Sequence, residues 1–340
     1  MNLIQPDHNT LLAKLEQAKR VVIITHTNPD GDAMGSALGW WHVLKTHVAS
    51  VHVVVPNVYP EFLAWMSGAD QVVVYDRQER NAKRLIQEAD VVFCLDFNHP
   101  GRVDKAEAAL RETKAFTALI DHHLQPDPNF HWSFSDVQAS STCELVVRLI
   151  QALGWESALS PEAASCLYTG MMTDTGSFRF SSCSAHTHRM VAALLDAGAN
   201  HVQIHEAVFD TNSEQRMKLL GHCLAHKMEV LPDYRTAFIS VTLAEQAQFG
   251  ISKGDTEGFV NQGLAVKGIK FAAFFMEKDG EIKISFRSKG GFDVNSFARK
   301  HFDGGGHFHA AGARSTQSLD LTLLKFIELL PAHRHELEMA

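Results

Sequence analysis

One imidazole and two carboxylates, His26, Asp30 and Asp32, stand within seven residues in the stretch HTNPDGDAMGS, directly after the apolar run VVII at 21–24. Asp96 follows the run VVFCL, Asp121, His122 and His123 close the run FTALI, and Asp174 ends a helical pattern at GMMTD. Carboxylates gathered in one place cannot all stay ionised unless cations sit among them. Oxygen and imidazole donors without a thiolate suit manganese or magnesium better than structural zinc, and manganese is the first choice. Two such ions about 3.5 to 4 Å apart form the clamp used for phosphoryl hydrolysis, polarising the phosphate and lowering the pKa of a bridging water. Hydrolysis of a phosphate ester is therefore the chemistry these residues point to.

The elements that must position them are legible in the same stretch of chain. Apolar runs VVIIT at 21, VHVVV at 51, QVVVY at 71, DVVFCLD at 90 and FTALID at 116 alternate with helical segments such as 33–47 and 79–88. That is the βαβ rhythm of a parallel sheet buried on both faces, and residues at its strand ends share the edge where open α/β sheets bind ligands. A single aspartate at a strand end is commonly a turn former or a helix cap. Parallel neighbours bring at least the first three clusters to one edge, and four acidic clusters together outweigh that reading.

From 140 to 226 the pattern turns helical, and after 230 a strand-rich stretch begins with YRTAFISVTL, KFAAFFME and EIKISFRS. The expected fold is α/β: a parallel-sheet catalytic domain with helices on both faces over 1–190, a helical linker over 191–215, and a smaller α/β domain over 216–340. The first twenty residues read as an amphipathic helix without a signal-peptide core, and no apolar run approaches a membrane span. A cytoplasmic protein without membrane partners is expected. Its five cysteines, Cys94, Cys143, Cys166, Cys183 and Cys223, form no CxxC pair and read as buried thiols.

With 340 residues and a net charge of −8, the chain is not expected to coat long duplex nucleic acid through non-specific phosphate contacts. Short anionic ligands remain open. Between Glu281 and Arg314 the balance reverses, six basic side chains facing three acidic ones for a local +3. The same stretch holds Gly304, Gly305 and Gly306, whose backbone could approach a phosphate closely, and HFHAAGA after them could start a helix facing that anion. A tight turn before a packed helix is the plainer reading of the triplet. Trp40 and Trp41 read as helix packing, and His186, His188 and His309 as surface or core histidines.

HTNPDGDAMGS at 26–36, LDFNHPGR at 95–102, IDHH at 120–123 and TDTGSFRF at 173–180 resemble the four motifs of the DHH phosphoesterases. SFRS at 285–288 and GGGHFHAAG at 304–312 resemble the DHH-associated domain of the oligoribonuclease-type members, so the likeness spans nearly the whole chain. It implies one ion held by His26, Asp30 and Asp96, and a second held by Asp32, Asp96, His122 and Asp174, with Asp96 bridging. It also implies that His123 faces the substrate phosphate and that Asp121 orients its neighbours. In the small domain Arg287 and Ser288 of SFRS, with Gly305, Gly306 and His307, would grip a terminal phosphate or the nucleotide, and Arg102 is a further phosphate candidate. Asp303 stands where many relatives carry another glycine.

What the resemblance implies is a nanoRNase-type enzyme with two divalent ions, Mn2+ or else Mg2+. Its substrates would be very short RNA, released as mononucleotides, and 3′-phosphoadenosine-5′-phosphate (pAp), converted to AMP. Substrate would lie in the cleft between the domains, the large domain cutting and the small one selecting. Cyclic or linear dinucleotides and polyphosphate are the alternative substrates, a non-catalytic nucleotide-binding regulator is the remote one, and a homodimer is left open.

Overall fold

The computed structural model describes residues 7–251 and 254–340 and divides them into two compact units, ending and beginning at Thr211 and Asn212. The first unit carries β1 (Arg20–Thr25), β2 (Ser50–Val55), β3 (Val73–Val74), β4 (Val91–Leu95), β5 (Phe116–Asp121) and β6 (Trp132–Ser135). All pair in parallel in the order β3-β2-β1-β4-β5-β6. Its helices are α1 (His8–Gln17), α2 (Gly31–Leu44), α3 (Tyr75–Glu88), α4 (Glu107–Glu112), α5 (Thr142–Ala152), α6 (Pro161–Asp174), α7 (Ala185–Asp196) and α8 (His201–Phe209).

Because successive strand side chains point to opposite faces, each run feeds two cores. Val21, Ile23, Phe93 and Ile120 pack with Leu11, Leu38, Leu145 and Leu167 on one face. Val22, Ile24, Cys94 and Leu119 pack with Ala82, Ile86, Ala109 and Leu110 on the other. This is why the runs are apolar throughout: a strand covered by helices on both sides has no face left for water. Trp40 and Trp41 belong to the packing, Trp40 edge-on to Phe93 and stacked on Trp155, and Trp41 Nε1 donating to the Val51 carbonyl.

Three local expectations change. The run QVVVY yields only two strand residues, because β3 is an edge strand paired to Val54 and Val55 alone and Tyr75 already opens α3. Trp132–Ser135, too short to read as a strand, extends the sheet beyond β5. Residues 191–211, expected within the linker, pack into the first unit, where Leu194, Ala199 and Ile204 join the core around α6. Of the expected N-terminal helix, His8–Gln17 is helical, and residues 1–6 lie outside the described residues.

The second unit carries α9 (Glu214–His222), continued by a π-helical turn at Cys223–Lys227, then β7 (Met228–Leu231), β8 (Thr236–Val241), α10 (Leu243–Phe249), α11 (Phe259–Ala265), β9 (Phe271–Lys278) and β10 (Glu281–Ser288). It ends with α12 (Val294–His301), β11 (Asp303–Gly306), β12 (Ala310–Ser315), α13 (Leu319–Leu329) and α14 (Arg334–Met339). The sheet order is β11-β12-β10-β9-β8-β7, antiparallel except between β8 and β9. One face buries Phe271, Phe275 and Phe286 against Phe297 and Phe326, and the other buries Ile239 and Phe274 against Leu219 and Phe259.

The glycine triplet does not precede a helix. Gly304, Gly305 and Gly306 are strand residues facing Ala313, Gly312 and Ala311, and residues 307–309 turn the chain into β12. His307 N donates to the Ala310 carbonyl at 2.7 Å, closing a hairpin. Glycine is needed here for strand approach: a Cβ on Gly306 would fall 2.5 Å from the Ala310 carbonyl oxygen. Cys94, Cys143, Cys166 and Cys223 are buried thiols, and Cys183 is half-buried and also reduced. Among the described residues no helix is long and apolar enough to cross a membrane.

Candidate metal centre

The strand order reverses between β1 and β4, so the crevice beyond their carboxyl ends is the natural binding point of the sheet. β1 delivers His26 there, β4 delivers Asp96, and β5 delivers Asp121, His122 and His123. Asp30 caps α2, its Oδ1 accepting from the amides of Asp32 and Ala33 at 3.1 Å. Asp174 arrives from elsewhere in the chain, as the last residue of α6. The structure thus brings together the eight residues expected around the ions, while Arg102, the ninth large-domain candidate, is not among these clustered donors.

Two groups of donors face each other across Asp96. In one, His26 Nε2 lies 3.3 Å from Asp96 Oδ2 and 3.8 Å from Asp30 Oδ1. In the other, His122 Nε2 lies 3.6 Å from Asp96 Oδ1, 3.6 Å from Asp174 Oδ2 and 3.8 Å from Asp32 Oδ2. The two oxygens of one carboxylate therefore serve different clusters. Both rings are turned the same way: His26 Nδ1 is 2.8 Å from the Thr27 carbonyl and His122 Nδ1 is 3.4 Å from that of Ala139. With Nδ1–H directed at a carbonyl, each Nε2 presents its lone pair to the carboxylates, the tautomer a metal-binding imidazole requires. Most of these separations exceed hydrogen-bond length, as they must for ligands converging on an ion about 2.1 Å from each.

Electrostatics tell the same story. Burial alone would lower His26, but Asp30 and Asp96 outweigh it and hold its pKa well above 6.5. Burial likewise opposes protonation of His122, yet Asp174, Asp32 and Asp96 push it up to about 9. Removal from water drives Asp174 up to about 7 despite His122, and burial with Asp96 and Asp174 beside it raises Asp32 well above 3.8. Asp96 moves the opposite way: burial would raise it, but His26, His123 and His122 hold it below its ordinary value. In the absence of cations the cluster gathers protons in their place, so the donor set fits divalent ions.

Three features that the sequence reading missed hold this arrangement. The N-terminus of α5 grips Asp32: Thr142 N donates to Oδ2 at 2.7 Å and Cys143 N to Oδ1 at 2.9 Å, where free helix amides favour an anion. Thr142 Oγ1 donates to Asp96 Oδ1 at 2.9 Å. Second, Gly31, Gly35 and Gly39, one turn apart on α2, let α6 come close: a Cβ on Gly35 would lie 2.6 Å from the Cys166 carbonyl and 2.9 Å from Gly170 N. That contact carries Asp174 to the sheet edge. Third, Asp96 has φ +65°, a left-handed backbone that aims its carboxylate and that aspartate tolerates better than most residues. The glycine spacing GDAMGSALG and the SxxE cap at 141–144 were the available signals.

His123 Nδ1 lies 2.6 Å from Asp121 Oδ1, and Asp121 is fully buried with Oδ2 unpartnered by hydrogen bonds. Arg102 is exposed in the 3-10 stretch after β4, and its carbonyl accepts from Thr27 N at 2.8 Å, tying that stretch to the His26 loop. In the second unit, register sets Arg287 opposite Ala310, to which His307 is bonded, so these two polar residues flank one alanine. Ser288 is buried, its hydroxyl donating to the Phe292 carbonyl at 2.7 Å and lying 3.1 Å from His309 Nδ1. That pairing leaves Ser288 supporting the turn and accounts for His309.

The family model described as DHH family, N-terminal domain, matches residues 20–171, and the DHHA1 domain matches 236–331. The bifunctional oligoribonuclease and PAP phosphatase NrnA of Thermus thermophilus is 30% identical over 94% of this chain and 91% of its own length. That of Bacillus subtilis is 26% identical over 86% and 88%. A crystal structure of an exopolyphosphatase-related protein from Bacteroides fragilis is 39% identical, covers 99% of both chains and superimposes with a TM-score of 0.96.

Proposed function

Since the chain belongs to the DHH family, with a DHHA1 domain following the DHH domain in sequence, we propose that it is a divalent-metal-dependent phosphoesterase hydrolysing very short oligoribonucleotides and pAp. The observation that carries this reading is Asp96, whose two oxygens face the separate donor groups of His26 and His122.

In this reading His26, Asp30 and Asp96 hold one ion, and Asp32, Asp96, His122 and Asp174 the other. When bound, such a pair supplies positive charge to a phosphoryl group and makes a water acidic enough to act as nucleophile near neutral pH. The chain's own residues do the rest. Asp121 fixes the ring of His123 through Nδ1, so that Nε2 is turned to a substrate phosphate. Thr142 and the α5 amides hold Asp96 and Asp32 in place, so that no carboxylate must reorient as charge develops. Arg287, His307 and the Gly305–Gly306 backbone grip the nucleotide, Ser288 holds the turn behind them, and Arg102 offers a further phosphate contact. Manganese is the preferred ion, because imidazole with carboxylate binds it more strongly than magnesium.

The test is a panel of substrates offered to the purified protein with manganese: two- to five-residue RNA, longer RNA, pAp, a cyclic dinucleotide, polyphosphate and pyrophosphate. The highest kcat/KM is expected for the shortest RNA and pAp. A cyclic dinucleotide or polyphosphate at the head of the ranking would overturn the substrate assignment, and no hydrolysis of any member would overturn the activity.

A further inference from the structure

Gly305 in β11 lies under the side chain of Arg299: a Cβ there would sit 3.4 Å from Arg299 Nε and 3.5 Å from Nη2. Arg299 is exposed on the last turn of α12, one turn after Asn295. Asn295 Oδ1 accepts from Arg299 Nε at 3.0 Å and from Gly306 N at 2.9 Å. One amide oxygen therefore ties the guanidinium to the glycine strand. An exposed arginine ordinarily samples many rotamers, and this one is already oriented.

Its remaining donors are uncommitted to carboxylates. No ion pair joins Arg299 to an acid among the described residues, and the nearest acid on its own helix, Asp293, is occupied as the cap, accepting from Asn295 N, Ser296 N and Ser296 Oγ. A guanidinium held by Nε keeps its Nη pair as a two-pronged donor, the geometry that matches a phosphate. The surface beside it is built for close approach. Gly305, Gly312 and Ser285 form one cross-strand row, and Ala310 and Arg287 lie two residues further along their strands, so Gly312 and Ala310 bring small residues to the stretch between Gly305 and Arg287.

We propose that Arg299, set by Asn295 against Gly305, is a further specificity-determining residue that binds the phosphate of a nucleotide which is not cleaved. The inference rests on the phosphoesterase reading above. Short RNA and pAp share the feature it requires: a second phosphate close to the scissile one.

pAp and adenosine 3′-phosphate carry the same scissile group and differ only in that second phosphate. The wild-type protein with manganese is expected to favour pAp, and Arg299→Ala to lower the pAp to adenosine 3′-phosphate ratio of kcat/KM by about ten- to a hundredfold, mainly through KM, the size of a lost charged hydrogen bond. Arg299→Lys, which keeps the charge without the fork, and Asn295→Ala, which unties it, should fall between. Calorimetric binding of AMP against adenosine gives a readout independent of turnover, and Arg299→Ala should erase the preference for AMP. Equal losses on both substrates, or an unchanged ratio and unchanged AMP binding in a folded Arg299→Ala protein, would overturn the proposal. If the wild-type protein hydrolyses neither compound but binds AMP through Arg299, the site stands and the activity reading falls.

Discussion

Gly35 of α2 lies so close to Cys166 of α6 that a methyl group on the glycine would come within 2.6 Å of the cysteine's carbonyl oxygen. The two helices run antiparallel along Gly31, Gly35 and Gly39, whose missing side chains would meet Thr173, Cys166 and Leu167 in turn. Backbone cannot yield as a side-chain tip can. Gly35→Ala is therefore expected to cost roughly 1–3 kcal/mol of stability by overpacking, and to weaken metal binding by shifting Asp174 away from Asp32. Gly221→Ala on α9, where nothing lies within 4 Å, is the control and should be neutral or stabilising by about 0.5–1 kcal/mol. Denaturant midpoints of the two variants, with metal titrations, check both statements.

Asp96 can be tested without disturbing its surroundings. Its φ of +65° suits asparagine and would strain alanine, and asparagine keeps an oxygen for Thr142 Oγ1. Asp96→Asn should still fold, with thermal unfolding of the metal-free protein lowered, since His26, His123 and His122 hold Asp96 below its ordinary pKa and its charge therefore favours the fold. Turnover should fall on the order of a thousandfold or more, the size of losing several kcal/mol of charge stabilisation. Substantial manganese-dependent turnover by folded Asp96→Asn protein would contradict a centre built on that bridge.

Most of the candidate large-domain site was legible because its chemistry obeys a local rule, an apolar strand and then an acid, with Asp174 the exception at the end of a helix. The supports were not, since the grip of Thr142 and Cys143 on Asp32 links positions 110 and 111 residues apart. Sequence periodicity carries no register across such distances. The helix expected after Gly304 to Gly306 fails for a related reason: a glycine run permits a helix entry or a closely packed edge strand alike, and only the pairing with β12 decides. Asn295 and Arg299 lie one turn apart on α12, and only the tertiary placement of Gly305 beside them gives that spacing a role.

Removing metal should make stability depend on pH in a definite direction. Asp174 is raised from 3.8 to about 7 and His122 from 6.5 to about 9, so the folded protein binds these protons more tightly than the unfolded chain. Groups raised on folding stabilise below their unfolded pKa and lose that contribution as pH rises through the folded one. The chelated protein is expected to lose stability steadily from about pH 4 to about pH 9, with Asp32 acting in the same sense. The opposite contribution of Asp96, lowered on folding, is already complete at the start of that window. Manganese displaces the protons, so the rise in unfolding temperature on adding it should be larger at pH 8.5 than at pH 5.5. A metal-induced shift independent of pH would contradict the cluster described.

Cutting and selecting should separate by variant. Arg287 lies on β10 in the second unit, opposite Ala310, and no residue of the donor groups around Asp96 lies on that sheet. Arg287→Ala should therefore bind as much manganese per chain as the wild type. If it grips the nucleotide, kcat/KM for di- to pentanucleotides and pAp should fall by about tenfold to several hundredfold, the range for charge-assisted hydrogen bonds of ~1.5 to 3 kcal/mol. The loss should appear in KM at least as strongly as in kcat, because the interaction is made on binding. Metal content by elemental analysis and steady-state kinetics on the same preparation decide the matter. Reduced manganese occupancy, or a loss confined to kcat, would move Arg287 from recognition of the nucleotide to support of the metal centre.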